Sequence, residues 1–458
     1  MAGISPHIFR QYDVRGTVGQ DLTLELAELL GRAYGTMLRR EGGSAAAVGM
    51  DNRLSSPELQ DAFIRGVLST GVDVLDTGLH PTPVLYFALF NLPVQGGVQV
   101  TGSHNPPEMN GFKIAIGKAT IYGERIQELH RLIQRRDFER AQGQRIGQEI
   151  LPDYLDAIEQ RITLNRSLKV VVDAGNGTAG PIAPGLMKSL GCEVIPLYCE
   201  MDGRFPNHPA DPTEVEALQD LIVEVQDSGA DLGVAYDGDG DRIGVIDDQG
   251  QIVWGDRLLA LLSREVLAKK PGAPIIFEVK CSQALVEEIL KQGGRPIMWK
   301  TGHSLIKEKM RQEGSPLAGE MSGHMFFADE YYGYDDAIYA SCRLLRFLAE
   351  YEEPLSTVMA TIPTYHSTPE IRIGSTDQAK FRIVQEIGAA FRQEYETVDV
   401  DGVRVLFGDG WGLLRASNTQ PVLVLRFEAQ TPERLEEIRG IFAHRLRAFP
   451  EAELPRDW

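Results

Sequence analysis

One order of apolar and polar positions recurs along the chain. AAAVGMD (residues 45–51) reads as a buried strand, followed by a polar loop, the helical pattern PELQDAFIRGVLSTG and the strand VDVLDTG. The same order returns in LKVVVDAGNGTAG, PIAPGLMKSLG and CEVIPLY, and again in PIIFEVKCSQ, ALVEEILKQGG and RPIMWKTG. Each unit runs strand, polar loop, helix, glycine stop, strand, which is a βαβ unit. The spacing of roughly a hundred residues or a little more is too long for a solenoid and predicts three similar mixed α/β domains. Boundaries fall near RIGQEILPDY and after the hairpin-like IGVIDDQGQIV, giving domains over residues 1–148, 149–251 and 252–365. Residues 366–458 follow a different pattern: a strand in STPEIRIG, a helix over 377–394, strands around VRVLF, WGLLRAS and VLVLRFEAQ, and a helix from Pro432. That order predicts a smaller α+β domain with an antiparallel sheet.

Composition adds limits. At 458 residues the chain is too long for one core, and 43% hydrophobic with 24% charged residues is a globular balance. A formal net charge of -19 disfavours non-specific contact with nucleic acid or an anionic membrane, so neither is expected as a partner. Binding an anion would require basic residues gathered locally, which directs attention to Arg and Lys inside motifs. Cys192, Cys199, Cys281 and Cys342 form no CxxC pair and read as small buried hydrophobes in a reducing compartment. MAGISPHIFRQ lacks the apolar core of a signal peptide, and no apolar run is long enough to span a bilayer. The expectations are a cytoplasmic location and a monomer.

Four polar loops carry candidate chemistry. In TGSHNPPEMNGFKI (101–114), Ser103 follows an apolar strand on a loop stiffened by two prolines, so its Oγ keeps its aim as a nucleophile would need. His104 and Lys113 are placed to manage a proton or a phosphate charge. A serine in a turn is ordinarily only a strand-end cap; the company it keeps points further. In GVAYDGDGDRIGVID (233–247), Asp237, Asp239 and Asp241 alternate with glycines and would repel one another without a cation. Arg242 follows directly and both flanks are strands, which argues against an EF-hand and for Mg2+ sharing its sites with phosphate or water. PLAGEMSGHMFF (316–327) sets Glu320, Ser322 and His324 on a turn that can face a sugar, although a solvated turn fits as well. LLRASNTQPVLVLRFEA (413–429) crowds Arg415, Ser417, Asn418 and Thr419 into a loop that makes either a phosphate cradle or an Asx/ST turn. A serine, a metal and a phosphate grip together imply phosphoryl transfer through a phosphoserine.

TGSHNPP, DGDGDR, GEMSGH and RASNTQP, in that order, resemble the α-D-phosphohexomutase superfamily, and IFRQYDVRG, KTGHSLIKEKM and GEMSGH resemble its phosphomannomutase/phosphoglucomutase branch. The resemblance implies three related α/β domains and a TBP-like fourth around one cleft, with a closing fourth domain. It implies a phosphorylated Ser103, and Mg2+ held by Asp237, Asp239, Asp241 and a phosphoserine oxygen. Arg242 would lie near the moving phosphoryl group, with Lys113 and His104 as candidate acid/base groups. Glu320, Ser322 and His324 would meet the sugar; Lys280, Gly302 and His303 would touch substrate; Arg415, Ser417, Asn418 and Thr419 would hold the non-reacting phosphate; Tyr12 and Arg15 would line the cleft. The implied reaction interconverts hexose 1-phosphate and hexose 6-phosphate through hexose 1,6-bisphosphate, with mannose, glucose or both as the sugar. Gln420 stands where the superfamily often has Thr, Ala337 where Gly is usual, and Met321 favours this branch over phosphoglucosamine mutases. Two other classes are weighed against it. A hexose-phosphate phosphatase would need no second phosphate grip, and a non-catalytic sugar-phosphate sensor would not need Ser103, Lys113 and all three aspartates.

Overall fold

The computed structural model describes residues 6–417, 420–455 and 458. Four sheets form. In the first, Asp73–Leu79, Ala45–Met50 and Gly96–Val100 lie side by side in parallel, and Met109–Ile116 joins antiparallel to the last of them. The second repeats this plan with Glu193–Leu197, Lys169–Asp173 and Leu232–Tyr236, then antiparallel Ile243–Asp247. The third does so with Arg295–Trp299, Pro274–Glu278 and Leu317–Gly319, then antiparallel Met325–Phe327.

The helices that cross between parallel strands are those the pattern predicts: Ser56–Leu68, Ala183–Ser189 and Gln283–Lys291. The last is N-capped by Ser282, whose side chain accepts from the amide of Ala284. The fourth sheet is antiparallel throughout its named pairs, with Glu396–Val398, Val403–Leu406, Gly410–Ala416 and Val422–Ala429 in order and Ile371–Gly374 on the far side. Helices Ala379–Phe391 and Pro432–Leu446 pack on it.

The topology aligns four loops. In each of the first three sheets the connection from the third parallel strand to its antiparallel mate holds a motif: residues 101–108, 237–242 and 320–324. In the fourth, residues 417–421 connect Gly410–Ala416 to Val422–Ala429. Parallel α/β sheets present ligand-binding loops at the carboxyl ends of their strands, and the repeat places all three there.

One apolar core runs continuously from helix Thr82–Asn91 through the second and third sheets. The fourth sheet has its own core and meets the rest through a small cluster of Val279, Trp411 and Leu413. Buried Arg404 reinforces that joint, lying 3.6 Å above the Trp411 ring and donating to the carbonyls of Val279 and Cys281 at 2.8 and 2.7 Å. All four cysteines are free thiols, Cys199 partly exposed and the others buried. Among the described residues no helix is long and apolar enough to cross a membrane.

Candidate active site

Ser103 leaves its strand in the left-handed region, with φ 52°, a conformation that costs a non-glycine residue about 1–2 kcal/mol. Its amide donates to Thr101 Oγ1 at 2.8 Å. Its Oγ donates to Asp237 Oδ2 at 2.9 Å and lies 3.1 Å from His104 Nδ1. Burial, with the charges of Arg242, Arg15 and Lys113, pushes the His104 pKa well down, which favours the neutral ring. The two prolines are not alone in fixing this loop. Arg53 donates to the carbonyls of Ser103 and Asn105 and is one contact of the loop that the sequence does not reveal; in MDNRLSS nothing separates it from a solvated loop cation.

Asp237, Asp239 and Asp241 are fully buried, and one oxygen of each lies within 4.8 Å of the other two. Asp237 Oδ1 accepts from the amides of Asp241 and Arg242 at 3.0 and 3.1 Å, which folds the loop around that carboxylate. Lys113 donates from Nζ to Asp239 Oδ2 at 2.7 Å and to Asp241 Oδ2. Thr82 Oγ1 donates to Asp239 Oδ2 at 2.5 Å. Burial and the charges of Asp239 and Asp241 push the Asp237 pKa well up. Burial also opposes ionisation of Asp241, but Lys113 and His324 hold its pKa well down. Among the described residues, Asp239 Oδ1 is buried without a hydrogen-bond partner. A buried carboxylate oxygen without a partner, on a residue clustered with two more carboxylates, is what a divalent cation with oxygen ligands requires, so the residues fit one. Lys113 therefore neutralises the aspartates from the cleft side; among the described residues its ammonium pairs with them and not with Ser103.

The glycines of this loop serve close approach as well as turning. A Cβ on Gly238 would sit 2.6 Å from the Ser103 carbonyl oxygen, so only glycine lets the acidic loop reach the serine loop. Gly238→Ala is expected to cut turnover by about 10²-fold through displaced reacting groups, with a stability cost of about 1–3 kcal/mol from overpacking. Steady-state kinetics alongside denaturant unfolding would check both; unchanged kcat would refute the first.

The third loop binds to the second. Arg242 and His324 form an antiparallel backbone bridge. His324 Nε2 lies 3.3 Å from Asp241 Oδ1, and Nδ1 lies 2.8 Å from Glu320 Oε2 and 3.3 Å from Ser322 Oγ. Burial disfavours the charged ring, but Asp241 and Glu320 raise its pKa to about 9. Glu320 Oε1 accepts from the amide of Gly302 at 2.6 Å, and Tyr12 Oη donates to the Thr301 carbonyl at 2.7 Å. His303 Nδ1 lies 3.3 Å from Asp335 Oδ2, while Lys307 Nζ holds Asp335 Oδ1 at 2.7 Å. Arg15 pairs with Asp13 at 2.6 Å. Lys280 pairs with Glu370 at 2.9 Å and Glu278 at 3.4 Å.

From the fourth sheet, Asp401 Oδ2 accepts from Arg415 Nε at 3.0 Å and from the Thr301 amide at 3.1 Å, which ties the strand Gly410–Ala416 to the Gly302 turn. Gln420 is anchored twice: Arg372 Nη1 donates to its side chain and Lys380 Nζ to its carbonyl, each at 2.9 Å. Asn418 and Thr419 lie outside the described residues.

These groups share one cleft of about 1080 Å³. Tyr12, Arg15, Ser103, His104, Lys113, Arg242, Lys280, Gly302, His303, Glu320, Ser322, His324, Arg415 and Ser417 all line it. The three aspartates lie behind its floor, touching Ser103 and Lys113. A second concavity of about 950 Å³ between helices Ala379–Phe391 and Pro432–Leu446 contains none of the predicted residues.

Sequence models of the phosphoglucomutase/phosphomannomutase family match this chain in order. The alpha/beta/alpha domains I, II and III match residues 6–140, 152–250 and 254–365, and the C-terminal domain matches 370–445. A phosphomannomutase/phosphoglucomutase of Pseudomonas aeruginosa is 50% identical over 449 residues, covering 98% of this chain and 97% of its own. A phosphoglucomutase of Neisseria gonorrhoeae is 44% identical over 460 residues, covering 99% of this chain and all of its own (100%). The crystal structure of a phosphoglucomutase/phosphomannomutase family protein from Burkholderia thailandensis superposes with a TM-score of 0.93 at 45% identity, over 99% of this chain and 100% of that one. The four-sheet fold around a single cleft is that of the phosphohexomutases. This chain belongs to the phosphoglucomutase/phosphomannomutase family of those isomerases.

Proposed function

We propose that the chain interconverts hexose 1-phosphate and hexose 6-phosphate, with glucose and mannose as sugars, by way of a phosphoryl group carried on Ser103. One observation supports this above others. The Ser103 hydroxyl is 2.9 Å from Asp237 and 3.1 Å from His104 at the floor of a cleft whose walls hold the sugar-facing and phosphate-facing loops.

In the first half-reaction the bond from Ser103 Oγ to phosphorus breaks as O6 of a hexose 1-phosphate bonds to phosphorus. Neutral His104 takes the O6 proton and delivers it to the departing Oγ. The hexose 1,6-bisphosphate turns over within the cleft, and the same steps in reverse return its other phosphoryl group to Ser103. Glu320 and Ser322 accept and donate hydrogen bonds to sugar hydroxyls. Arg415, Ser417, Asn418 and Thr419 grip whichever phosphate is not reacting, and Arg242 faces the one that is. Mg2+ on Asp237, Asp239, Asp241 and a phosphoserine oxygen would neutralise charge on the phosphoryl group as it moves. Free hexose 1,6-bisphosphate would also rephosphorylate a bare Ser103. All four loops come from one chain, so a monomer suffices, and the free cysteines suit the cytoplasm.

The test is a coupled assay with glucose 1-phosphate, mannose 1-phosphate and glucosamine 1-phosphate, each with and without glucose 1,6-bisphosphate. The first two are expected to turn over, and glucosamine 1-phosphate at least about tenfold more slowly. Preference for glucosamine 1-phosphate would move the chain to the phosphoglucosamine mutases. Inorganic phosphate as main product would make it a phosphatase, and binding without turnover a sensor.

A further inference from the structure

Arg53 is 1% exposed and uses all five of its guanidinium donors. Nε donates to Asp51 Oδ2 at 3.2 Å. Nη1 donates to the carbonyls of Pro106 and Met109 at 2.7 and 3.0 Å, and Nη2 to those of Ser103 and Asn105 at 2.7 and 2.6 Å. Three carbonyls of one short loop and that of Met109, where the next strand begins, thus converge on a single planar cation. Asp51 completes the platform, since its Oδ2 accepts from the Gly102 amide at 3.1 Å and its Oδ1 from Ser56 Oγ at 2.5 Å. A Cβ on Gly102 would stand 2.4 Å from Arg53 Nε, so the glycine before the serine is required by this arginine. The Phe205 ring, reached from the second sheet's loop, covers the guanidinium at 5.0 Å.

We infer that Arg53 is the positioning residue that holds Ser103 in its left-handed conformation and so sets the direction of phosphoryl transfer. A left-handed serine persists only where its surroundings over-determine it. Here the Ser103 carbonyl is fixed from behind by Arg53, and the amide by Thr101. Among the described residues no peptide bond is cis, so anchoring the Ser103 carbonyl turns the His104 amide to the side away from Arg53. A lysine could keep the charge beside Asp51 but has three donors on one atom and cannot span four carbonyls. The inference rests on Ser103 as the phosphoryl carrier, a reading tested separately by Ser103→Ala.

The experiment compares Arg53→Lys, Arg53→Ala and Arg53→Ala with added guanidinium chloride below denaturing concentrations. Both variants are expected to lose about 10²-fold or more in kcat for glucose 1-phosphate, with KM changed by less than about threefold because Arg53 does not touch the sugar. Guanidinium is expected to restore part of the alanine variant's kcat, and both variants should still carry phosphate on Ser103 by mass spectrometry after exposure to glucose 1,6-bisphosphate. A folded Arg53→Lys protein with parental kcat, or a loss confined to KM, would overturn the inference. So would a crystal structure of the unsubstituted protein with Ser103 outside the left-handed region, which keeps the test decisive if a variant fails to fold. Loss of activity in Ser103→Ala together with full activity in Arg53→Lys would refute the role of Arg53 alone.

Discussion

Ser103→Ala is expected to lower mutase turnover by about 10⁴-fold or more, with no compensating change in KM. The change removes one oxygen from a buried site, so it should fold as the parent does, and the loss can be read as chemistry. The reason for so large an effect lies in the arrangement around that oxygen. Its hydroxyl is the group that the left-handed turn, the Thr101 side chain and the Asp237 carboxylate together hold in place. No other serine or threonine hydroxyl lining the cleft is shown within hydrogen-bond distance of both an aspartate of the acidic loop and a histidine among the described residues. The check is a coupled assay for glucose 6-phosphate formed from glucose 1-phosphate. Mass spectrometry of the peptide spanning 101–114 should show phosphate in the parent after treatment with glucose 1,6-bisphosphate and none in the variant. Turnover within tenfold of the parent's would remove Ser103 from the mechanism.

Much of the framework is visible in the chain before folding. Short β-branched runs such as VVVD and IIFE, with helical stretches and glycine stops between, predict the parallel strands and crossovers that form. The aspartates alternating with glycine announce a cation site in the same way, because so many carboxylates are costly together without one. What the pattern cannot state is pairing. GGVQV, LGVAY and LAG are short apolar runs whose neighbours are decided only in three dimensions, and that choice puts the Ser103, acidic and Glu320 loops at the same point of three repeats. Arg53 is hidden for a related reason. Its surroundings in sequence are polar, and it becomes buried only when residues 103–109 fold over it and Phe205 closes from another sheet. Lys113 is legible as a site residue but not in its pairing, since ten residues of sequence separation from Ser103 say nothing about Asp239 and Asp241. The register of Gln99 with Lys113 across the antiparallel pair fixes the lysine on its strand, and its ammonium reaches the acidic loop.

Asp237→Asn should separate function from stability in opposite directions. The substitution keeps shape and one carbonyl oxygen, so the amides of Asp241 and Arg242 retain their acceptor. It removes one of three buried carboxyl groups whose oxygens lie within 4.8 Å of one another. Without a divalent ion, ionisation of all three together opposes folding, and burial, then Asp239 and Asp241, disfavours the ionised form of Asp237. The metal-free variant is therefore expected to unfold at a temperature equal to or above that of the metal-free parent. Turnover should move the other way. With phosphate on Ser103 adding a charge of about −1.5 to −2 beside the remaining carboxylates, Lys113, Arg242 and the raised-pKa His324 do not fully balance the site. Loss of one anionic ligand should raise the Mg2+ concentration for half-maximal activity and lower kcat by about 10²–10⁴-fold, the range for losing a preorganised electrostatic group. Chelation of the parent should give a comparable loss, reversed by added Mg2+. Thermal unfolding of both proteins in chelator, paired with Mg2+ titration of activity, reads the two arms independently. A metal-free variant clearly less stable than the parent would mean that Asp237 is a structural acceptor. Parental activity at low Mg2+ would mean that the acidic loop binds no ion the reaction needs.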